Sequence, residues 1–357
     1  MRVFRTVRAG RPAVVAGTAA LACSLTAAAY SWLVEARQLR RNILQVTLPS
    51  LPRALDGLRL AFLTDFHLGG SGSSEQLARQ AIAEAGAWQA DVVLLGGDYF
   101  DEGRFYQTDA FDGLHAFGAR VCAVLGNHDY RQGEATADRI AGFLQQHGAT
   151  VLRNEALEFH LRGDRLRILG LDDPYTGRAS LPVCPVDSSP PTVLLAHAPL
   201  VIDALPVGTA QLVLCGHTHS GQIRLSPWSR LTPLDAAWYL DLSRGRHPSR
   251  LQRGMHWERG ALVYVSPGIG TTTLPLRFLA PPEVVLIELA ADPVDPTRPC
   301  DDPARYVRRL AYSVVRETAV RREENPWSDR FASWQSTSAL APRTSYSTRA
   351  TVLQRPA

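Results

Sequence analysis

The sequence predicts an α/β protein whose core is a two-sheet β-sandwich flanked by helices. In the first half of the chain, short apolar runs such as 58–63, 92–95 and 121–125 alternate with helix-like stretches. In the second half, apolar runs follow one another at short spacing, which leaves little room for helices between them. Because helical connections favour parallel strands and short connections favour antiparallel ones, we expect mixed sheets.

The first predicted element is a transmembrane signal-anchor at residues 13–34, preceded by a basic N-terminal segment at residues 1–12. The span carries no charged residue, and at 1.5 Å per residue it is long enough to cross a bilayer core of ~30 Å. A cleaved signal peptide with its site at 27–29 and a buried helix of a soluble protein are the alternatives. Arginines flank the span on both sides, so the positive-inside rule gives only a slight preference for a catalytic part outside the cytoplasm.

The remaining boundaries follow from composition and periodicity. We predict a linker at residues 35–56, a catalytic domain at residues 57–291, and a helix followed by a disordered tail at residues 292–357. The tail is rich in Ser, Thr, Pro and Arg without an apolar period, which is typical of disorder. Within the domain we predict helices at 75–89 and 136–147 and strands at 58–63, 92–95, 121–125, 150–152, 157–161, 166–171, 193–196, 212–215, 262–265 and 284–289.

Composition narrows the classes of function. The net charge is only +4, and the basic residues form no stripe interleaved with aromatics, so we expect no nucleic-acid partner. The five cysteines include no CxxC pair, and Cys122 and Cys215 fall in predicted core strands. Because buried free cysteine behaves as a small apolar residue, we expect no disulfide framework.

Clusters of polar residues follow five of the predicted strands. In open α/β sheets, ligands bind beyond the carboxyl ends of the strands. Each cluster taken alone is compatible with an ordinary turn or helix cap, but their shared position predicts one pocket. The clusters are Thr64-Asp65-Phe66-His67, Gly96-Gly97-Asp98, Gly126-Asn127-His128-Asp129, His197 and Gly216-His217-Thr218-His219.

This set of side chains is suited to binding metal ions. Neutral imidazoles together with carboxylate and amide oxygens favour Mn²⁺, Fe or Zn²⁺ over Ca²⁺ or Mg²⁺. Seven such groups exceed the needs of one ion, so we predict two divalent ions, with Mn²⁺ as the first choice. One carboxylate must bridge the pair, and Asp98, on a tight Gly-Gly turn, is placed for that role. Two ions ~3.5–4 Å apart favour in-line attack on phosphorus.

The motifs together resemble the calcineurin-like metallophosphoesterase superfamily over roughly residues 58–289. Within it, the chain is similar to the bacterial branch of transmembrane proteins with a metallophosphoesterase domain. That similarity is carried by residues 125–130, 169–173, 194–199, 216–225, 268–271, 274–278 and 281–283. The resemblance implies the superfamily's fold and a single-pass location in the bacterial inner membrane.

The resemblance also implies a role for each residue that matches the superfamily's motifs. One ion would be held by Asp65, His67, Asp98 and His219, and the other by Asp98, Asn127, His197 and His217. His128 would face the substrate as a catalytic residue, oriented by Asp129. Asp101 would support the site from behind the ligands, and Arg277 is either a phosphate contact or a structural arginine.

The resemblance implies a phosphodiesterase or pyrophosphatase in which a hydroxide bridging the two ions attacks phosphorus. It further implies a membrane-associated, lipid-linked substrate, such as UDP-2,3-diacylglucosamine or another glycolipid or phospholipid. A phosphodiesterase or phosphomonoesterase acting on soluble nucleotides is the alternative. A non-catalytic metal-binding scaffold is the third reading, and the complete set of predicted ligands argues against it.

Overall fold

Two mixed β-sheets packed face to face form the core in a computed structural model, which describes residues 11–49, 51–182, 190–224, 226, 251–292 and 305–315. Along the chain the strands are β1 (Arg40–Leu48), β2 (Arg59–Leu63), β3 (Val92–Leu95), β4 (Val121–Ala123), β5 (Ala149–Val151), β6 (Glu155–Leu161), β7 (Asp164–Gly170), β8 (Thr192–Leu195), β9 (Leu212–Cys215), β10 (Gly254–Glu258), β11 (Ala261–Val265), β12 (Glu283–Ala291) and β13 (Val307–Val314). The α-helices are α1 (Arg11–Leu33), α2 (Glu75–Ala87) and α3 (Glu134–Gln146).

The strand orders confirm the prediction of a two-sheet sandwich with mixed pairing. The first sheet has the order β13-β1-β12-β2-β3-β4-β5 and the second has the order β10-β11-β9-β8-β7-β6. β2, β3, β4 and β5 are parallel neighbours, as are β7, β8, β9 and β11. Each sheet therefore contains one run of parallel strands whose carboxyl ends lie at the same edge. These ends carry the polar clusters.

Three layers of apolar side chains hold the sheets and helices together. Between the sheets, β2 contributes Leu60 and Phe62 and β9 contributes Leu212 and Leu214, all fully buried. On the outer face of the first sheet, α2 packs against the strands through one apolar face with helical spacing, formed by Leu77, Ala78, Ala81, Ile82 and Ala85. A third cluster covers the outer face of the second sheet, where the 3₁₀ helix Pro199–Ala204 packs.

The N-terminal helix α1 matches the predicted apolar span. Within Val14–Arg37, an 18-residue window has a mean hydropathy of 1.5, and only 6% of that window is buried within the protein. Its length and composition are sufficient to cross a membrane. The basic segment at residues 1–10 and the predicted tail after residue 315 lie outside the described residues.

Two predicted boundaries of the domain differ from the structure. The segment 35–56, predicted as a linker, contains β1, which lies between β13 and β12 and pairs in parallel with β12 along its whole length. Its alternating burial follows the period of two of a strand. The residues after 304, predicted to be helical, instead form the edge strand β13, which is antiparallel to β1. Because β13 is mostly exposed, its side chains show no clear strand period.

Candidate metal centre

All seven predicted ligands meet where the carboxyl ends of the two sheets' strands converge. Asp65 and His67 follow β2, Asp98 follows β3 and Asn127 follows β4, whereas His197 follows β8 and His217 and His219 follow β9. Each of these side chains belongs to a residue that is at most 9% exposed. The structure therefore brings together the residues that the sequence predicts as ligands, although Asp65 and His219 come from distant parts of the chain.

Asp65, His67 and His219 form the first group of candidate ligands, here called the Asp65 group. The Nε2 atoms of His67 and His219 lie 3.0 Å apart. Oδ1 of Asp65 is 3.5 Å from Nε2 of His219 and 3.9 Å from Nε2 of His67. The ligand atoms thus converge on one small volume.

Asn127, His197 and His217 form the second group, here called the His197 group. Nε2 of His197 lies 3.1 Å from Nδ1 of His217 and 3.2 Å from Oδ1 of Asn127. Nδ1 of His197 is 2.9 Å from the carbonyl oxygen of Gly96, and this contact turns Nε2 towards the group.

Asp98 lies between the two groups. Its Oδ2 atom is 3.4 Å from Nε2 of His67 and 3.2 Å from Nε2 of His197. Its other oxygen, Oδ1, accepts a hydrogen bond of 2.8 Å from the backbone N–H of His128. One carboxylate oxygen therefore faces both groups, as the bridging role predicted for Asp98 requires.

The donor atoms fit divalent metal ions. Two nitrogen ligands that are each ~2.1 Å from an ion, at a right angle to one another, lie about 3 Å apart. The facing ring nitrogens of the His67–His219 and His197–His217 pairs are separated by 3.0 and 3.1 Å. The spacing and the mixed N/O donors thus suit a pair of ions.

Burial and neighbouring charges set the protonation of the ligands. Burial raises the pKa of Asp98, but the nearby charges of His197 and His128 outweigh it and hold that pKa well below its ordinary value. Burial, with the charge of His197 for His217 and of His67 for His219, lowers the pKa of these two rings well below normal. Neutral His217 and His219 beside an ionised Asp98 are in the form that binds metal. Burial lowers the pKa of His197, but the charge of Asp98 outweighs it and raises that pKa to about 10, so His197 must release a proton to bind an ion.

The backbone around the site is unusually strained and tightly packed. Asp65, His67, Asp98, His217 and His219 all have positive φ, between 47° and 69°. Side chains other than glycine seldom adopt this region, and it is most frequent at functional sites. Gly216 lets the chain approach Asp65, because a Cβ there would lie 2.1 Å from its Oδ2 atom.

Asp101 connects a candidate ligand to the predicted catalytic histidine. Its Oδ1 atom is 3.2 Å from Nδ1 of His67 and 3.3 Å from Nδ1 of His128. The two imidazole rings are perpendicular, with centroids 4.7 Å apart. Asp101 thus orients both rings, which places His128 beside the Asp65 group.

The predicted role of Asp129 is wrong. This residue is fully buried, and its carboxylate accepts hydrogen bonds from the backbone N–H groups of Gly126, Asp98 and Tyr99 at 2.9–3.0 Å. Burial, with the charge of Asp98, raises the pKa of Asp129 to about 7. Asp129 therefore holds the turn that carries Asp98, and Asp101 rather than Asp129 contacts the ring of His128.

The contacts of Arg277 favour the second of its two predicted roles, a structural arginine, over a phosphate contact. The residue is 0% exposed, and its guanidinium donates to the carbonyl oxygens of Gly270, Ala280 and Pro267. Nη2 also lies 3.3 Å from Nδ1 of His219. A guanidinium enclosed in this way has no free face for a substrate.

The loop after β7 adds residues to which the sequence assigned no role. The hydroxyl of Tyr130 donates to both carboxylate oxygens of Asp172, at 2.7 and 2.9 Å. The ring of Tyr175 lies against His217, with centroids 4.3 Å apart. Between these contacts, Asp173 is fully buried, and its Oδ1 atom has no hydrogen-bond partner among the described residues. The Asp-Asp pair directly after a predicted strand was the available signal.

Two mixed sheets with Asp, Asn and His ligands at their strand ends define a metallophosphoesterase domain. Residues 58–221 match the family model described as calcineurin-like phosphoesterase. The chain is 30% identical over 235 residues to the phosphodiesterase YaeI of Escherichia coli, covering 65% of this chain and 82% of that protein. This chain therefore belongs to the calcineurin-like phosphoesterase family, whose members use divalent metal ions.

Two further relatives extend the comparison. A metallophosphoesterase of Helicobacter pylori is 34% identical over 244 residues, which cover 65% of this chain and 60% of that protein. A transmembrane protein with a metallophosphoesterase domain from Danio rerio is 29% identical over 314 residues, covering 79% of this chain and 65% of that protein. The match thus spans less than two thirds of either relative.

Proposed function

We propose that this protein is a metal-dependent phosphoesterase, of phosphodiesterase or pyrophosphatase type, with two divalent ions. The observation that carries the proposal is the position of Asp98 Oδ2, 3.4 Å from a ring nitrogen of the Asp65 group and 3.2 Å from one of the His197 group. A single oxygen shared in this way is what a dinuclear site for in-line displacement at phosphorus needs.

The protein's own residues divide the remaining work. Asp65, His67 and His219 would hold one ion, Asn127, His197 and His217 the other, and Asp98 both. When bound, the ions supply charge neutralisation and lower the pKa of water near the phosphorus. Nδ1 of His128 faces Asp101 and the backbone N–H of Glu102, which leaves Nε2 to carry a proton to the leaving oxygen. The mixed N/O donor set favours Mn²⁺ first, then Fe or Zn²⁺.

We further propose that α1 anchors the protein in a membrane as a single pass and that the substrate is lipid-linked. The length and apolar composition of α1 support the anchor, and a site held at a membrane would meet esters carried by lipids. UDP-2,3-diacylglucosamine and phospholipid phosphodiesters are representatives of this substrate class, and soluble nucleotides are the competing class.

The reaction is tested with the full chain in detergent, loaded with Mn²⁺, on bis-p-nitrophenyl phosphate and p-nitrophenyl phosphate. Asp98→Asn removes the shared carboxylate, so we expect no measurable turnover, whereas Asp203→Asn at an exposed position keeps the wild-type rate. His128→Asn should lower kcat by about 10²–10⁴-fold, as removal of a general acid does. The matched variant His160→Asn, also exposed, should leave kcat unchanged.

The outcomes separate the enzyme from a scaffold. Faster turnover of the diester than of the monoester, lost in Asp98→Asn, supports a phosphodiesterase. Absence of turnover with Mn²⁺, Zn²⁺ and Fe²⁺, together with absence of bound metal by elemental analysis, contradicts the proposal. Comparing UDP-2,3-diacylglucosamine with soluble nucleotide diesters then decides between the two substrate classes.

A further inference from the structure

The end of α1 is built into the domain that carries the metal centre. Most of the helix is exposed, with Trp32 at 47% and Leu33 at 52%, but Ser31 is only 4% exposed. The carbonyl oxygen of Ser31 accepts a hydrogen bond of 3.3 Å from the backbone N–H of Arg277. Immediately after the helix, Glu35 and Ala36 are also buried.

Glu35 makes a second hydrogen bond to the loop that contains Arg277. Its Oε1 atom accepts a hydrogen bond of 2.9 Å from the backbone N–H of Ala280. The carbonyl oxygen of Ala280 in turn accepts a bond of 2.8 Å from Nη1 of Arg277. Ser31 and Glu35 thus hold both ends of the short segment 277–280.

Arg277 extends this connection to the metal centre. Its Nη2 atom donates to the carbonyl oxygen of Pro267 at 2.8 Å and to that of Gly270, and it packs 3.3 Å from Nδ1 of His219. His219 belongs to the Asp65 group. A continuous set of buried contacts therefore runs from the end of the apolar helix to a candidate metal ligand.

We infer that the exit of α1 is part of the wall of the metal centre, and that it holds the centre at a fixed height on the bilayer surface, where the site acts on phosphodiesters carried by lipid headgroups. Glu35 and Arg277 are the positioning residues of this connection. The inference rests on the proposed function, both for the reaction and for the membrane span.

The length of the Arg277 side chain limits the distance between the metal centre and the bilayer core. Residues 14–33 cover a bilayer core of about 30 Å at 1.5 Å per residue, so Ser31 lies near its boundary. Arg277 contacts Ser31 through its backbone nitrogen and His219 through its guanidinium. With bonds of about 1.5 Å, an arginine joins atoms at most about 15 Å apart, including both contacts. The headgroup layer is ~5–8 Å thick, so His219 lies within it or at most ~10 Å beyond it.

The position of the metal centre relative to the bilayer is tested by loosening the connection without replacing any of the seven candidate ligands. A Gly-Ser insertion of about twelve residues between Leu33 and Val34 adds ~20 Å of flexible chain. The full-length protein is reconstituted in phosphatidylcholine vesicles that contain phosphatidyl-p-nitrophenol, and it is also assayed on soluble bis-p-nitrophenyl phosphate. We expect kcat/KM on the lipid diester to fall at least about tenfold more than kcat/KM on the soluble diester.

A matched insertion after Gly208, in an exposed turn, should change neither rate. Equal rates on the lipid diester with and without the insertion at residue 33 would overturn the inference. If the wild-type protein hydrolyses neither substrate, the proposed function fails, and metal binding by the positioning variants then decides whether α1 supports the centre.

Metal content provides a readout that does not depend on activity. Arg277→Lys keeps the charge but loses the planar fork that reaches several carbonyl oxygens. Loss of such supporting contacts weakens metal binding by about 10–100-fold, so elemental analysis after dialysis should show metal lost. Arg167→Lys, another buried arginine, which binds Glu158 away from the site, should retain the metal.

Glu35→Ala covers the case in which Arg277→Lys does not fold. It removes the acceptor for the backbone N–H of Ala280 but leaves all seven ligands in place. We expect weaker metal binding in this variant too, with a cooperative unfolding transition retained. Wild-type metal affinity in both variants would contradict a positioning role for the connection.

Discussion

At the metal centre, close approach of the backbone to a candidate ligand determines which positions must be glycine. Asp98 can face both ligand groups because Gly126 packs against its turn, where an added Cβ would lie 2.2 Å from Oδ1 of Asp98. Gly216 leaves comparable room for Asp65. The glycines in these motifs therefore have a steric cause: each one removes a side chain that would displace a carboxylate.

Gly216→Ala tests this cause directly. We expect the free energy of unfolding to fall by about 1–3 kcal/mol from overpacking, and the purified protein to lose metal, because the new methyl group displaces Asp65. The control is Gly142→Ala in α3, where an added Cβ meets nothing within 4 Å. That change should raise the free energy of unfolding by about 0.5–1 kcal/mol. Thermal unfolding and elemental analysis measure both effects, and retention of metal in Gly216→Ala would contradict the argument.

The candidate ligands could be predicted from sequence, whereas the contacts of the residues around them could not. Asp65, Asp98 and His197 each follow an apolar run, and parallel strands bring such positions to one edge of a sheet. The roles of Asp129 and Arg277 depend instead on which backbone groups surround them, and these belong to segments distant in sequence or in loops. No local pattern encodes that information.

At the scale of the elements, a buried polar cluster joins both sheets. Asn42 of β1, Tyr264 of β11 and Glu283 of β12 share hydrogen bonds: Nδ2 of Asn42 donates to the hydroxyl of Tyr264 at 2.8 Å, and that hydroxyl donates to Glu283. Glu283 is 2% exposed, and burial raises the pKa of its carboxyl above the ordinary value of 4.5. The cluster therefore connects β1 to the second sheet by hydrogen bonds in addition to apolar contacts.

The raised pKa of Glu283 predicts a pH dependence of stability. The folded state binds the proton more tightly than the unfolded state, so this contribution is fully present below about pH 4.5 and is lost as pH rises through the folded pKa. In Glu283→Gln the contribution no longer titrates. The free energy of unfolding of the variant, relative to wild type, should therefore increase with pH above about 4.5.

Urea unfolding between pH 4 and 7, with EDTA present to remove metal effects, measures this difference. The matched variant Glu155→Gln, at an exposed position, should run parallel to wild type. A Glu283→Gln curve that also stays parallel to wild type would show that burial of this carboxyl carries no pH-dependent cost.

The predicted and missed strands differ in their physical character. β2, β3, β8 and β9 are buried along nearly their whole length and read as short continuous apolar runs. β1 alternates buried and half-buried positions and includes buried Asn42, while β10 and β13 lie at sheet edges with few buried residues. A search of the sequence for continuous apolar runs detects the first kind of strand and misses the second.

At the scale of the whole molecule, β1 makes the segment after α1 inseparable from the domain. It lies inside the first sheet, and Leu44, Val46 and Leu48 are at most 2% exposed. Burying each such side chain contributes about 1.5–3 kcal/mol, and removing the strand also unpairs β12 and β13. The total approaches the 5–15 kcal/mol by which a native protein is typically stable.

A chain that begins at Gly57, the start of the domain predicted from sequence, should therefore not fold. A chain that begins at Val34 keeps β1 and loses only α1, so we expect it to be soluble and to unfold cooperatively. Circular dichroism and thermal unfolding of the two truncated chains, both expressed without the apolar helix, measure the difference. A cooperative transition at the same temperature in both would mean that β12 tolerates an open edge. The predicted outcome, folding only in the longer chain, follows from the position of β1 between β12 and β13, because a strand within a sheet supports both of its neighbours.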